Sequence, residues 1–199
     1  MLSHPGFRRL WALGGLNSTM RWLEMIVLGL LAFELTESPF KVSLAFFFRM
    51  IPMLLFGVLI GMLADRFNRK HLLVSGLVAQ AVIFGALGLL IVGDLLEYWH
   101  LLAGTFLVGI VWASEFPVRR AMIGEIIGVR LLGRAMGVDS ATFNFTRMVG
   151  PFMGGGLFEF LGPESTYLLG VGFFLAAAVI AATLDYTPPQ RSEDSERNV

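Results

Sequence analysis

Four charged residues, Arg21, Glu24, Arg49 and Arg147, fall inside long apolar runs of this chain. A charged side chain at mid-bilayer costs about 2.5–3.5 kcal/mol or more unless it is paired or faces a water-filled cavity, so each implies a partner or a ligand. Glu24 and Arg147 lie at matching depths in their runs and form a candidate buried pair. A carboxylate held in this way can bind and release a proton in competition with a substrate. The structural alternative is a permanent ion pair that fixes helix register, with Arg21, one turn from Glu24, as a local partner. Arg49 lies nearer the outer end of its run, where it either snorkels outward or touches a ligand.

The elements that must carry these residues are membrane helices. Hydrophobic residues make up 56 % of the 199 and charged residues 15 %, with a mean hydropathy of +0.73, a balance foreign to soluble domains. A hydrocarbon core about 30 Å thick needs roughly 20 apolar residues per helix. Such windows recur at 10–34, 42–63, 71–92, 101–118, 136–160 and 165–184, which predicts an all-α membrane protein with six transmembrane helices. The breaks are Glu37-Ser38-Pro39, Asp65 to Asn68, Asp94 to His100, an amphipathic stretch over 119–134, and Gly162 to Ser165. Residues 185–199 lack apolar periodicity and read as a disordered cytoplasmic tail after the 1–184 bundle.

The basic residues set the orientation. With both termini in the cytoplasm, Arg8, Arg9, Arg66, Arg69, Lys70, Arg119, Arg120, Arg130, Arg134, Arg191 and Arg197 lie inside and Lys41 alone lies outside. The opposite turns carry Glu34, Glu37, Asp94, Glu97 and Glu164. Arg8 and Arg9 before an apolar run could also open a signal peptide, but Arg21 and Glu24 interrupt that run and no A-x-A pattern follows, so the first span is read as uncleaved. There is no cysteine, so thiol and disulfide chemistry drop out. His4, His71 and His100 fall at span ends, and neither H-E-x-x-H, G-x-S-x-G nor a phosphate-binding loop occurs. The reading is therefore not an enzyme, with no metal site, no cofactor and no nucleic-acid partner.

Two motifs narrow the class. Gly61-Met-Leu-Ala-Asp65-Arg66-Phe-Asn68-Arg69-Lys70 closes the second span as G-x-x-x-D-R-x-x-R-K, and resembles the signature loop of the major facilitator superfamily of secondary transporters. In that loop Asn68 stands where the family often has Gly, and Asn tolerates a left-handed turn. Gly150-Pro151-Phe-Met-Gly154-Gly155 with Gly137 upstream resembles the glycine and proline motif of the superfamily's exporters, with Thr146 in place of a middle Gly. Glycines at this spacing smooth a helix face, and Pro151 removes a backbone donor. A wider set, from Phe7-Arg8-Arg9 to Arg147-Met-Val-Gly150-Pro151, is similar to the bacterial enterobactin-exporter and macrolide-efflux branch.

The resemblance implies half of a twelve-span fold, six helices arranged as a 3+3 inverted repeat, in the bacterial inner (plasma) membrane. It implies that Asp65 caps a helix of the facing half while Arg66, Arg69 and Lys70 form a cytoplasmic latch, for which Glu115 is the candidate acid. The function it implies is proton-coupled export, as an antiporter, of an unnamed small molecule by alternating access. The partners would be the lipid bilayer, protons and a second six-helix half, either another copy or a different chain, without which the half is inactive. The alternative is a truncated non-transporting membrane module or subunit. Any functional form is then expected to be at least a dimer of six-span units, joined through a small-residue face that includes Gly57, Gly61, Gly150 and Gly154.

Overall fold

The computed structural model describes residues 4–184 and 186, with the side chains of all of these except 58–66. Six helices fill it: α1 Pro5–Thr36, α2 Pro39–Arg66, α3 Arg69–Val92, α4 Tyr98–Ile127, α5 Val129–Leu161 and α6 Pro163–Ala182. There is no strand among the described residues. Four helices, α2 over 39–57, α3, α4 and α6, are long and apolar enough to cross a membrane. The other two are as long, but α1 carries Asn17, Arg21 and Glu24 and α5 carries Asp139, Asn144 and Arg147 in mid-length.

Local chemistry explains the breaks. Glu37 takes a left-handed conformation (φ 48°) and its N–H returns to the Phe33 carbonyl, after which Pro39 opens α2. Asn68 is not left-handed as expected. At φ −63° it is the N-cap of α3, its Oδ1 accepting from the Lys70 N–H at 3.0 Å, so its side chain rather than its tolerance of positive φ is what the turn uses. Glu97 and His100 form a reciprocal capping box at the start of α4. The amphipathic stretch 119–134 is helix almost throughout: α4 runs on to Ile127 and α5 begins at Val129, with Gly128 at φ 73° making the turn alone. Charges on both sides of Gly128 lower the local hydropathy without breaking either helix.

Contacts at the ends show the chain reversing at each turn. At one end Arg9 of α1 donates to the Thr183 carbonyl beyond α6, Lys70 of α3 donates to the Leu184 carbonyl at 2.7 Å, and Arg69 pairs with Glu125 near the end of α4. At the other, the Tyr98 hydroxyl at the start of α4 donates to the Lys41 carbonyl at the start of α2. The packing is symmetric under exchange of α1, α2, α3 with α4, α5, α6. Helix α1 packs on α5 as α4 packs on α2, and α3 packs on α4 as α6 packs on α1, while α3 and α6 pack on each other. Because α1 and α4 run in opposite directions, the exchange inverts the unit, and the 3+3 inverted repeat is visible in packing although no residue repeat announces it.

The two equivalent contacts are both glycine-mediated. A Cβ on Gly154 of α5 would collide with the Leu23 carbonyl of α1, and one on Gly109 of α4 with the Arg49 carbonyl of α2. Gly150 is likewise pressed on Trp22, whereas Gly137, Gly155 and Gly57 meet nothing within 4 Å. The expected intersubunit face is thus corrected in part: Gly150 and Gly154 are used inside this half, and Gly57, Gly137 and Gly155 stay open. Replacing Gly154 by Ala is expected to separate α5 from α1 at a cost of about 1–3 kcal/mol, while Gly155→Ala costs little. Thermal unfolding of the two variants in detergent checks this.

Candidate functional site

Six charged side chains are brought together between α1, α2, α4 and α5. Glu24 of α1 is buried and ion-paired with Arg49 of α2, itself buried. The expected pair of Glu24 with Arg147 does not form. Arg147 is exposed on α5 and its guanidinium lies 5.2 Å from the centre of the Trp22 ring. Depth matching identified the level of Glu24 but not which helix faces it, and Arg49, expected to snorkel, sits on the face of α2 turned to α1.

Below that pair runs a second, longer network. Arg21 of α1 reaches Glu115 of α4 at 3.4 Å and stacks 4.5 Å over the Trp112 ring. Glu115 is also 3.7 Å from Arg119, one turn on. Arg119 closes on Asp139 of α5 with two parallel bonds of 2.6 and 3.1 Å, the bidentate geometry that makes guanidinium–carboxylate pairs strong. Arg119 and Asp139 are 3 % and 5 % exposed. The space for the guanidinium comes from Gly14 of α1, where any Cβ would overlap it. Together Arg21, Arg49 and Arg119 balance Glu24, Glu115 and Asp139, so the interior carries fixed charge at no net value.

Two expectations are corrected here. Glu115, expected as the latch acid, is among the described residues an interior link between Arg21 and Arg119. Arg119 is not a cytoplasmic anchor but the centre of the network. Asp139 was missed, though the sequence offered a signal: it lies inside the fifth apolar window, where a carboxylate needs a cation.

Of the latch arginines, Arg69 has its described partner elsewhere. Arg69 pairs with Glu125, two residues before the end of α4, and the Tyr186 hydroxyl donates to the other oxygen of the same carboxylate. Burial first, then the hydrogen bond and the charge of Glu125, push that hydroxyl up to about 12, so it remains a donor at any physiological pH. Gly61, Asp65 and Arg66 lie on the last turns of α2, and their side chains are outside the described residues; the rest of the expected 185–199 tail is also outside them, Tyr186 excepted. Pro151 lies inside α5 just after the Gly150 contact with α1. Among the described residues no group of three or more His, Asp or Glu is arranged to hold a metal ion.

Comparison with known proteins agrees with this architecture. The family model of the Major Facilitator Superfamily matches residues 10–198. An uncharacterized MFS-type transporter, YfiS, of Bacillus subtilis is 29 % identical over 180 residues, covering 89 % of this chain and 42 % of that protein. The multi-drug resistance efflux pump PmrA of Streptococcus pneumoniae is 29 % identical over 144 residues, 72 % of this chain and 35 % of the pump. A staphyloferrin A transporter of Staphylococcus aureus is 22 % identical over 177 residues, 88 % of this chain and 45 % of its own length. The chain spans less than half the length of each of these curated relatives.

Proposed function

The chain belongs to the major facilitator superfamily, and from that premise we propose that it is one six-helix half of a proton-coupled exporter, active when a second half completes the pathway. The observation that carries the reading is the buried Glu24–Arg49 pair between α1 and α2. A carboxylate at that depth has two stable states: ionised and held by Arg49, or protonated with Arg49 released toward another anion. Exchange between them links a proton to a rearrangement of α1 against α2. Close by, the fully buried Tyr167 hydroxyl of α6 has no hydrogen-bond partner among the described residues, and it is available to a carboxylate or guanidinium that shifts. Relatives named as an efflux pump and as a staphyloferrin A transporter support a small-molecule cargo.

The cytoplasmic end then serves as the gate. Arg69, Glu125 and Tyr186 tie the start of α3 to the end of α4. Both termini lie in the cytoplasm of a bacterium in this proposal. Cysteine at Gly93 should label from outside intact cells and cysteine at Asn68 should not. The reverse pattern would remove the orientation.

Coupling is tested on the assembled two-half form in inverted vesicles carrying a pH gradient. Glu24→Gln is expected to lower gradient-driven transport at least tenfold while leaving exchange without a gradient measurable. Gradient-driven transport at the wild-type rate would sink the coupling role of Glu24.

A further inference from the structure

Two exposed arginines on the face of the bundle are unlike Arg21, Arg49 and Arg119 of the network. Arg120 of α4 and Arg147 of α5 are both exposed, and neither makes an ion pair among the described residues. Each lies instead over an aromatic ring, Arg120 at 4.3 Å from the centre of Phe116 and Arg147 at 5.2 Å from that of Trp22. The rings between them touch in sequence: Phe116 to Phe143 at 6.4 Å, and Phe143 edge-on to Trp22 at 5.5 Å. The result is one continuous strip across α4, α5 and α1, with a guanidinium at each end.

Measured from the turn at Gly128, Arg120 lies about 12 Å and Arg147 about 28 Å along the helices. The strip therefore runs from near the basic end of the bundle to its middle. An exposed guanidinium at that depth in lipid is costly, so this face borders water or a ligand. Glu115, next to Phe116, and Asp139, one turn before Phe143, are turned inward onto Arg21 and Arg119, which leaves the strip positively charged. The indole N–H of Trp22 is buried and has no partner among the described residues, a further donor at the inner end.

We propose that this strip binds an organic anion with a flat aromatic or apolar body, its acidic group held by Arg147 or Arg120 and its body laid on Phe116, Phe143 and Trp22. Rings favour a planar partner of any substitution, and guanidiniums favour carboxylate over amine or amide. The inference rests on the transporter reading for its purpose, since a cargo needs a track from the cytoplasm to mid-membrane, but the binding itself does not depend on coupling.

The test uses the 199-residue chain in phosphatidylcholine nanodiscs, with 4-nitrobenzoate as the probe, because its nitro ring quenches tryptophan on contact. Saturable quenching is expected, at least tenfold tighter than with 4-nitrobenzamide or 4-nitrobenzylamine. Arg147→Gln combined with Arg120→Gln should weaken nitrobenzoate at least tenfold, the worth of one charge-assisted contact, each alone less, and Arg8→Gln at the helix end should not. Equal affinity for acid and amide in the unaltered chain would overturn the proposal even if a variant failed to fold. So would an affinity unmoved by both substitutions, or loss of the acid on assembly with the second half, which would mean that a carboxylate of that half occupies the strip. Glu24→Gln separates the two readings: nitrobenzoate binding that survives while gradient-driven transport is unaffected removes the coupling proposal and leaves this one standing.

Discussion

Asp139→Ala should destabilise the bundle by about 3–5 kcal/mol, the usual effect of removing one partner from a buried ion pair. The cause is the guanidinium left behind. Arg119 is enclosed by Gly14 of α1, Glu115 of its own helix and Asp139, and only 3 % of it is exposed. Glu115 cannot compensate, because it is already shared with Arg21. Pairing Asp139→Leu with Arg119→Met is expected to recover most of the loss, since a packed apolar pair at such a site is often neutral or stabilising. Thermal unfolding of the single and double variants measures both. A single variant as stable as the parent would mean that the pair is not closed in the membrane.

The same network shows why the sequence disclosed the fold more fully than the site. Six apolar windows of bilayer length, separated by Pro39, Asn68, Asp94 and Gly162, are long-range periodic signals, and all six became helices. Partners within the bundle are set by rotation about the helix axes, which one window does not carry. Glu24 and Arg147 share a depth but not a direction: Gly150 and Gly154 press α5 onto α1 along their own face, which leaves Arg147 outside over Trp22. The charge-rich 119–134 stretch misled for a related reason. Hydropathy averages a buried Arg119 with an exposed Arg120 although they lie on different faces of one helix, and only the complementary Asp139 distinguishes them. Glu125 was hidden in the same stretch, ten residues beyond the acid chosen for the latch.

At the proposed latch a charge reversal should have a large and reparable effect. Arg69→Glu places a carboxylate against Glu125 beside the Tyr186 hydroxyl, turning attraction into repulsion at the end of α4. The site is only part-buried, so the pair itself is worth about 1 kcal/mol or less. Repulsion also alters the balance between closed and open cytoplasmic ends, and a shift of about 1.4 kcal/mol in that balance is a tenfold change in populations. Transport by the assembled form is therefore expected to fall about tenfold with insertion unchanged. Adding Glu125→Arg restores the attraction with its sign reversed, and should return a substantial part of the rate, although Tyr186 then loses its acceptor. A double variant no better than the single one would show that the arginine acts elsewhere, and would separate the α3–α4 tie from the control of the gate.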